Sequence, residues 1–227
     1  GELSFGHAAF YGIGAYTSAY VTMNYGWSFW IAFPFAVIVT ALIGLFIGYL
    51  SFRTRGHYFA LVTMGFGQIF YLLAINLEEI TGGGAGMRGI QPPDPITLGS
   101  FQLTFESKTS MYYLILIVLL IVLYLTYRVL HSRYGRAFVS IREDAVLSEF
   151  TGLPVLRFKL INFTYSAAVA GVAGSLAAHY MLFVSPDFLT LQQSVNMLLM
   201  VIVGGVGTFA GPIVGALFLT PLPELLR

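Results

Sequence analysis

Ser4 and His7 stand three residues apart near the start of the chain, and His179 lies in an apolar run far downstream. A serine and a histidine can form a nucleophile and its base, but only from facing helices, a geometry that spacing does not report. Neither histidine has a carboxylate neighbour or an H-E-x-x-H frame that would make it a metal ligand. Both read as hydrogen-bonded structural groups, and no metal site is expected. The chain has no cysteine, which removes a thiol nucleophile, a disulfide framework and a Cys-ligated metal. Gly84, Gly86 and Gly89 spell G-x-G-x-x-G, yet no strand precedes that loop and it runs into Pro92-Pro93 rather than a helix, so no dinucleotide site is expected. There is no G-x-x-x-x-G-K-[ST] either. The chain therefore does not hydrolyse a nucleotide itself, and no cofactor is assigned to it.

The elements that carry these residues are set by composition. Of 227 residues 57% are apolar and 9% are charged, against about 25% charged in a globular domain. The mean hydropathy of +0.82 agrees. The expected fold is an all-α polytopic membrane protein, one transmembrane domain over 1–227 that begins with Gly rather than Met and reads as a fragment. Six apolar stretches, at 7–23, 27–52, 58–77, 111–127, 160–183 and 195–219, approach or exceed the roughly 17–25 residues that a spanning helix needs. If each crosses, one side collects Arg53, Arg55, Arg128, Arg133, Arg136, Arg142, Arg157, Lys159 and Arg227, and the other holds only Arg88 and Lys108. The first side is then cytoplasmic by the positive-inside rule, and Trp27 and Trp30 form an aromatic belt at the outer end of the second span. The net charge of +1 gives no reason to expect a nucleic-acid partner. The loop at 78–110 is extracytoplasmic in this reading. Within it, alternation around Gly99-Ser100 predicts a small β-hairpin.

The most polar stretch is 131–159, a cytoplasmic segment between two spans. Tyr134, Phe138, Ile141 and Ala145 recur on one helical face, with Arg133, Arg136, Ser140, Glu143 and Asp144 elsewhere, and Gly152 and Pro154 stop the helix. Such a helix lays one face on its own membrane domain and offers the other to a soluble partner. None of the six spans has an interior Asp or Glu, the groups that usually bind a coupling ion in carriers. Energy is therefore expected from outside the membrane domain, through an ATPase docked on this segment. Small residues at helix-packing spacing, such as Gly44 with Gly48 and Ala167 with Gly171, predict close helix contacts. The run Gly204-Gly205-Val206-Gly207 before Gly211-Pro212 predicts a discontinuous helix. Candidate residues for a translocation path are Ser4, His7, Gln68, Asn196, Gly204, Gly205 and Gly207.

The residues just described resemble the permease subunits of branched-chain amino acid ABC importers, and in particular the M-type subunit; urea and amide permeases are close relatives. GELSFGHAAFYGIGAYTSA is similar to the family's opening signature. GHYFALVTMGFGQIF with TGGGAGMRGI, SRYGRAFVSIREDAVLSEFTGLPVLRFK and GGVGTFAGPIVGALF resemble its later blocks. The resemblance implies a multi-pass subunit of a bacterial or archaeal plasma (inner) membrane, paired with a second permease subunit, ABC ATPase subunits that hold the ATP, and an extracytoplasmic substrate-binding protein. It also implies that Arg133, Gly135, Arg136, Arg142, Glu143, Asp144 and Gly152 carry the coupling to the ATPase. A secondary carrier or channel for small polar solutes is the alternative. A membrane enzyme or scaffold using Ser4, His7 or His179 is a third reading.

Overall fold

Glycine and alanine decide how the helices stack, because in lipid close backbone approach and dispersion drive helix association rather than the hydrophobic effect. The computed structural model describes residues 3–54, 56–98 and 101–222. In it α1 (His7–Tyr25), α2 (Phe29–Ser51) and α8 (Val155–Met181) pack on one another as a three-helix cluster. A Cβ on Gly14 would meet the Gly171 backbone, one on Gly174 the Tyr11 carbonyl, and one on Gly44 the Ala167 methyl. Contacts climb together along α1 and α8, from His7 with Ser166 to Ser18 with His179, so these helices are parallel. Gly48 faces Phe163 and Gly44 faces Ala167, so α2 is antiparallel to both. The core beneath them is aromatic: Phe163 meets Phe10 and Phe59 edge-on at 5.5 and 5.8 Å, and Phe52 stacks on Phe59 at 4.8 Å.

α3 (His57–Asn76) leads into the one-turn α4 (Glu78–Thr81) and a glycine loop. β1 (Met87–Arg88) then pairs antiparallel with β4 (Phe183–Val184), tying that loop to the far end of α8. β2 (Ile96–Leu98) and β3 (Phe101–Leu103) also pair antiparallel; the expected turn, Gly99-Ser100, lies outside the described residues. α5 (Lys108–Leu130) starts at Ser107, whose hydroxyl accepts from the Ser110 N–H, and returns antiparallel to α8, with Thr126 bonded to the Tyr165 hydroxyl at 2.8 Å. Then come α6 (Arg133–Glu143), α7 (Ala145–Phe150), α8, a 3-10 turn at Pro186–Leu189, α9 (Leu191–Gly204) and α10 (Gly211–Leu219).

Four of the six apolar stretches form helices long and apolar enough to cross a membrane, Phe29–Ser51, Tyr58–Asn76, Lys108–Leu130 and Val155–Met181. The other two differ for physical reasons. α1 carries Gly12, Gly14, Thr17 and Ser18 among its 19 residues, which lowers its hydropathy but fits it for burial. The sixth stretch is discontinuous, as its glycines predict. Gly205 and Gly207 take φ of 110° and 86°, conformations costly for residues with a Cβ, and the chain folds back there. A Cβ on Gly215 would meet the Met200 carbonyl and one on Gly204 the Gly211 carbonyl, so α9 and α10 form an antiparallel hairpin. At 14 and 9 residues they are about 21 and 13 Å long, too short for either to span alone.

Helix directions place Arg53, Arg128, Arg133, Arg136, Arg142, Arg157 and Lys159 at one end of the bundle, here the basic end, and Arg88 and Lys108 at the other. Arg55 and Arg227 lie outside the described residues. The non-basic end is closed by side chains reaching across loops. The Gln91 carbonyl accepts from His179 Nδ1 at 2.8 Å, so Nε2 is left to accept from the Ser18 hydroxyl at 2.9 Å. The Asp94 carboxylate accepts from the Ser28 hydroxyl at 2.6 Å and the Phe29 N–H at 2.8 Å, which covers the start of α2, and Trp30 Nε1 donates to the Asp94 carbonyl.

The Ser28 hydroxyl, with the Phe29 N–H, holds the Asp94 carboxyl below its ordinary 3.8 despite partial desolvation. Because the folded value is depressed, this anchoring is present above 3.8 and is lost as pH falls through the folded value. An acid titration of Trp fluorescence is expected to show a transition below pH 3.8 in the wild type that Asp94→Ala abolishes.

Candidate functional site

The basic end is built by a reversal from α5 into α6. Ser132 caps α6, its hydroxyl accepting from the Tyr134 and Gly135 N–H groups at 3.1 and 3.4 Å. Gly135 is buried against the Leu130 carbonyl, where a Cβ would clash, so this position sets the sharp turn between the helices. Tyr134 and Phe138 place their rings 5.9 and 6.0 Å from Phe158, which fastens α6 to the first turn of α8. Ile141 on the same face is buried, Phe138 is half-buried and Tyr134 stays exposed at its edge. The apolar face expected from periodicity is therefore the face laid on the protein's own body.

The single helix expected through Ala145 is in fact two. Asp144 adopts extended geometry, φ −151° and ψ 105°, and its carboxylate accepts from the Val146 and Leu147 N–H groups, both at 2.9 Å. Asp144 thus ends α6 and caps α7, a role that an Asp before a run of helix formers could have signalled. The Ser140 and Ser148 hydroxyls, 2.9 Å apart, close the corner, and Gly152, at φ 85°, ends α7. The seven residues expected to couple to an ATPase divide accordingly. Gly135, Asp144 and Gly152 shape the segment, Arg133 and Arg136 are exposed on it, and Arg142 binds Glu143 at 2.9 Å. Arg142 also donates to the Gly207 carbonyl at 3.3 Å.

Residues not picked out from the sequence complete this surface. Val146, Leu147 and Phe150 on α7 are 59%, 63% and 84% exposed, at an end otherwise rich in arginine. Six residues are too few for a periodic signal, so the exposed apolar cluster was invisible until the break at Asp144 turned α7 away from the body.

A second group lies at mid-height. α1 does not start at the basic end: His7 Nε2 meets the Ser166 hydroxyl at 2.7 Å, eleven residues into the 27-residue α8. The backbone around the start of α1 is satisfied partly by its own segment and partly from other helices. The Phe5 N–H donates to the Thr63 hydroxyl at 3.2 Å, the Gly6 N–H to the Ser4 hydroxyl at 3.3 Å and the Ala8 N–H to the Ser194 hydroxyl of α9 at 3.0 Å. Irregular backbone at membrane depth survives only when protein or water completes its hydrogen bonds, and here side chains do so. Ser4 and His7 are thus brought together as structural groups, each with its own partner. Gln68 follows Gly67, which faces Phe5 and Gly6, and Asn196 follows Ser194 by half a turn; both are exposed, and Asn196 accepts from Gln192 at 3.2 Å. Gly204, Gly205 and Gly207 are separate from this group, in the hairpin tip beside Arg142. Among the described residues no cluster of three or more His, Asp or Glu side chains could hold a metal.

Fold and site define a multi-pass α-helical membrane protein that carries an exposed basic and apolar segment at one end. The chain belongs to the family described as branched-chain amino acid transport system / permease component, which it matches over residues 1–226. It is 37% identical over its whole length to the high-affinity branched-chain amino acid transport system permease protein LivM of Salmonella typhimurium and of Escherichia coli, and covers 58% of each. It is 27% identical to LivH of Salmonella typhimurium over 96% of the chain and 74% of that protein. It is 26% identical to the autoinducer 2 import system permease protein LsrC of an Enterobacter strain, over 91% of the chain and 58% of that protein. The chain therefore spans a little over half the length of the LivM proteins. No solved structure matches.

Because Asp144 closes one helix and opens the next, Asp144→Ala is expected to fray α7 at a cost of about 1 kcal/mol. Hydrogen exchange of the Val146 and Leu147 amides is expected to accelerate, while amides in α8 keep their protection.

Proposed function

We propose that this chain is the membrane-spanning permease subunit of an ATP-driven importer for branched-chain or related amino acids. By the positive-inside rule the basic end is cytoplasmic, so 131–159 faces the cytoplasm and 78–110 the other side. Four full spans, with α1 rising from mid-height and the α9–α10 hairpin reaching the basic end, make up the membrane domain of this piece. The membrane is the plasma membrane of a bacterium or archaeon.

One observation carries the reading: α6 and α7 present Arg133, Arg136, Val146, Leu147 and Phe150 together on a rigid corner joined to α8. An exposed apolar patch on a segment that also exposes arginines fits a groove on a soluble protein, the apolar contact supplying affinity and the charges register. In a chain with no phosphate loop of its own, the partner that fits is an ATPase subunit, which holds the ATP. Its closure would move the corner as a unit and bias the membrane domain between inward- and outward-open states.

Gln68 and Asn196 support a path at mid-height. Polar side chains facing lipid are unfavourable, so this face is covered by a second permease subunit and the solute passes between the two. An extracytoplasmic binding protein delivers the solute. The LivM and LivH relatives are named for branched-chain amino acids and LsrC for autoinducer 2, so the scaffold is not tied to a single solute.

With the complex isolated in detergent, Arg136→Glu and Phe150→Asp are each expected to reduce the co-purifying ATPase by about tenfold or more. Both variants retaining ATPase and ATP-dependent uptake at wild-type level would overturn the proposal.

A further inference from the structure

The hairpin tip at 205–210 is far in sequence from the segment at 131–154, yet one contact seats it on that segment and a second on the end of α5 just before it. Arg142 Nη1 donates to the Gly207 carbonyl at 3.3 Å, and a Cβ at Gly207 would run into that guanidinium, so the arginine rests on bare backbone. The Phe209 ring meets Tyr127, in the last turn of α5, edge-on at 5.9 Å. From the tip α9 runs as one helix to mid-height, where the buried Ser194 hydroxyl accepts from the Ala8 N–H at 3.0 Å and so holds the first turn of α1. α1 in turn packs backbone to backbone on α8.

We infer that the α9–α10 hairpin is a transmission rod: Arg142 and Tyr127 hold its tip, and Ser194 passes displacement of the cytoplasmic segment to the mid-height start of α1. The inference rests on the proposed function and adds the route by which the ATPase stroke reaches the path flanked by Gln68 and Asn196. Geometry favours this route over α8 alone. α8 is packed along much of its length by α1 and α2 and moves only with them, whereas among the described residues α9 packs most heavily on α10 and touches the body at few places. A short stiff helix gripped at its two ends transmits displacement, because packed interfaces shift between discrete arrangements rather than deform continuously. Ser194 and Phe209 are positioning residues here: neither touches the solute, and each acts through another element.

The test uses the complete complex, permease pair with ATPase and binding protein, in proteoliposomes, measuring solute moved per ATP hydrolysed. Phe209→Ala and Ser194→Ala are each expected to lower that ratio by about five- to tenfold, the scale of one interior contact, with ATPase co-purification and hydrolysis unchanged. Because the two act in series, the double variant is expected to be no worse than the more impaired single variant, whereas independent sites would multiply. Ser194→Thr keeps the hydroxyl and is expected to restore the ratio. Unchanged ratios in the single variants, multiplying effects, or an uncoupled Ser194→Thr would each overturn the rod while leaving the proposed function standing. A wild-type complex that carries no ATPase would overturn the proposed function, and the rod with it.

Discussion

The contact on which the rest depends is the bare-backbone meeting of α1 with α8, Gly14 on Gly171 and Gly174 under the Tyr11 carbonyl. Lipid gives helices no hydrophobic reason to associate, so the bundle is held by dispersion at close range, and a side chain at any of these positions would push the axes apart. With α1 seated there, α2 packs against both, meeting α8 through Gly44 on Ala167 and Gly48 on Phe163. The same seating fixes heights. It sets His7 beside Ser166 and Ser18 beside His179, so the start of α1 falls half-way up α8 and its last turns reach the non-basic end.

A helix that begins at mid-height exposes N–H groups where water is scarce, and the chain answers with hydroxyls from Thr63 and Ser194. These bonds add modest stability one by one, but leaving such donors unmade is costly, so they fix α3 and α9 relative to α1. The opposite ends of these elements then acquire meaning. α9 descends from Ser194 to a tip touching Arg142, and α8 descends to Phe158 under the rings of α6. The segment at the basic end is therefore tied to mid-height along two separate helices, which is what a device driven from one end needs.

Much of this was legible in the residues. Continuous apolar runs located α2, α3, α5 and α8 to within a few residues, since a spanning helix must be apolar on every side. The glycines near 204–211 announced a break, and arginine placement separated the ends. What was illegible depended on partners distant in sequence. Ala8 is satisfied by Ser194, 186 positions away, so nothing near His7 said that α1 starts at mid-height. The hairpin at 205–210 met the segment at 131–154 through a backbone carbonyl, which has no sequence signature. The cap at Asp144 is of a different kind, since its partners, the Val146 and Leu147 amides, are local and an Asp before helix formers carries a signal that apolar periodicity alone passes over. The exposure of Phe150 followed from that cap and could not be seen before it.

The absence of cysteine makes the central claim, that the α6–α7 corner is a cytoplasmic dock for an ATPase, directly measurable. A single cysteine placed at Phe150 can be labelled with a membrane-impermeant maleimide in right-side-out and inverted vesicles, with and without the ATPase. The account requires labelling only in inverted vesicles, and protection from it once the ATPase is bound. Labelling from the outer face, or labelling that the bound ATPase leaves unchanged, would contradict it.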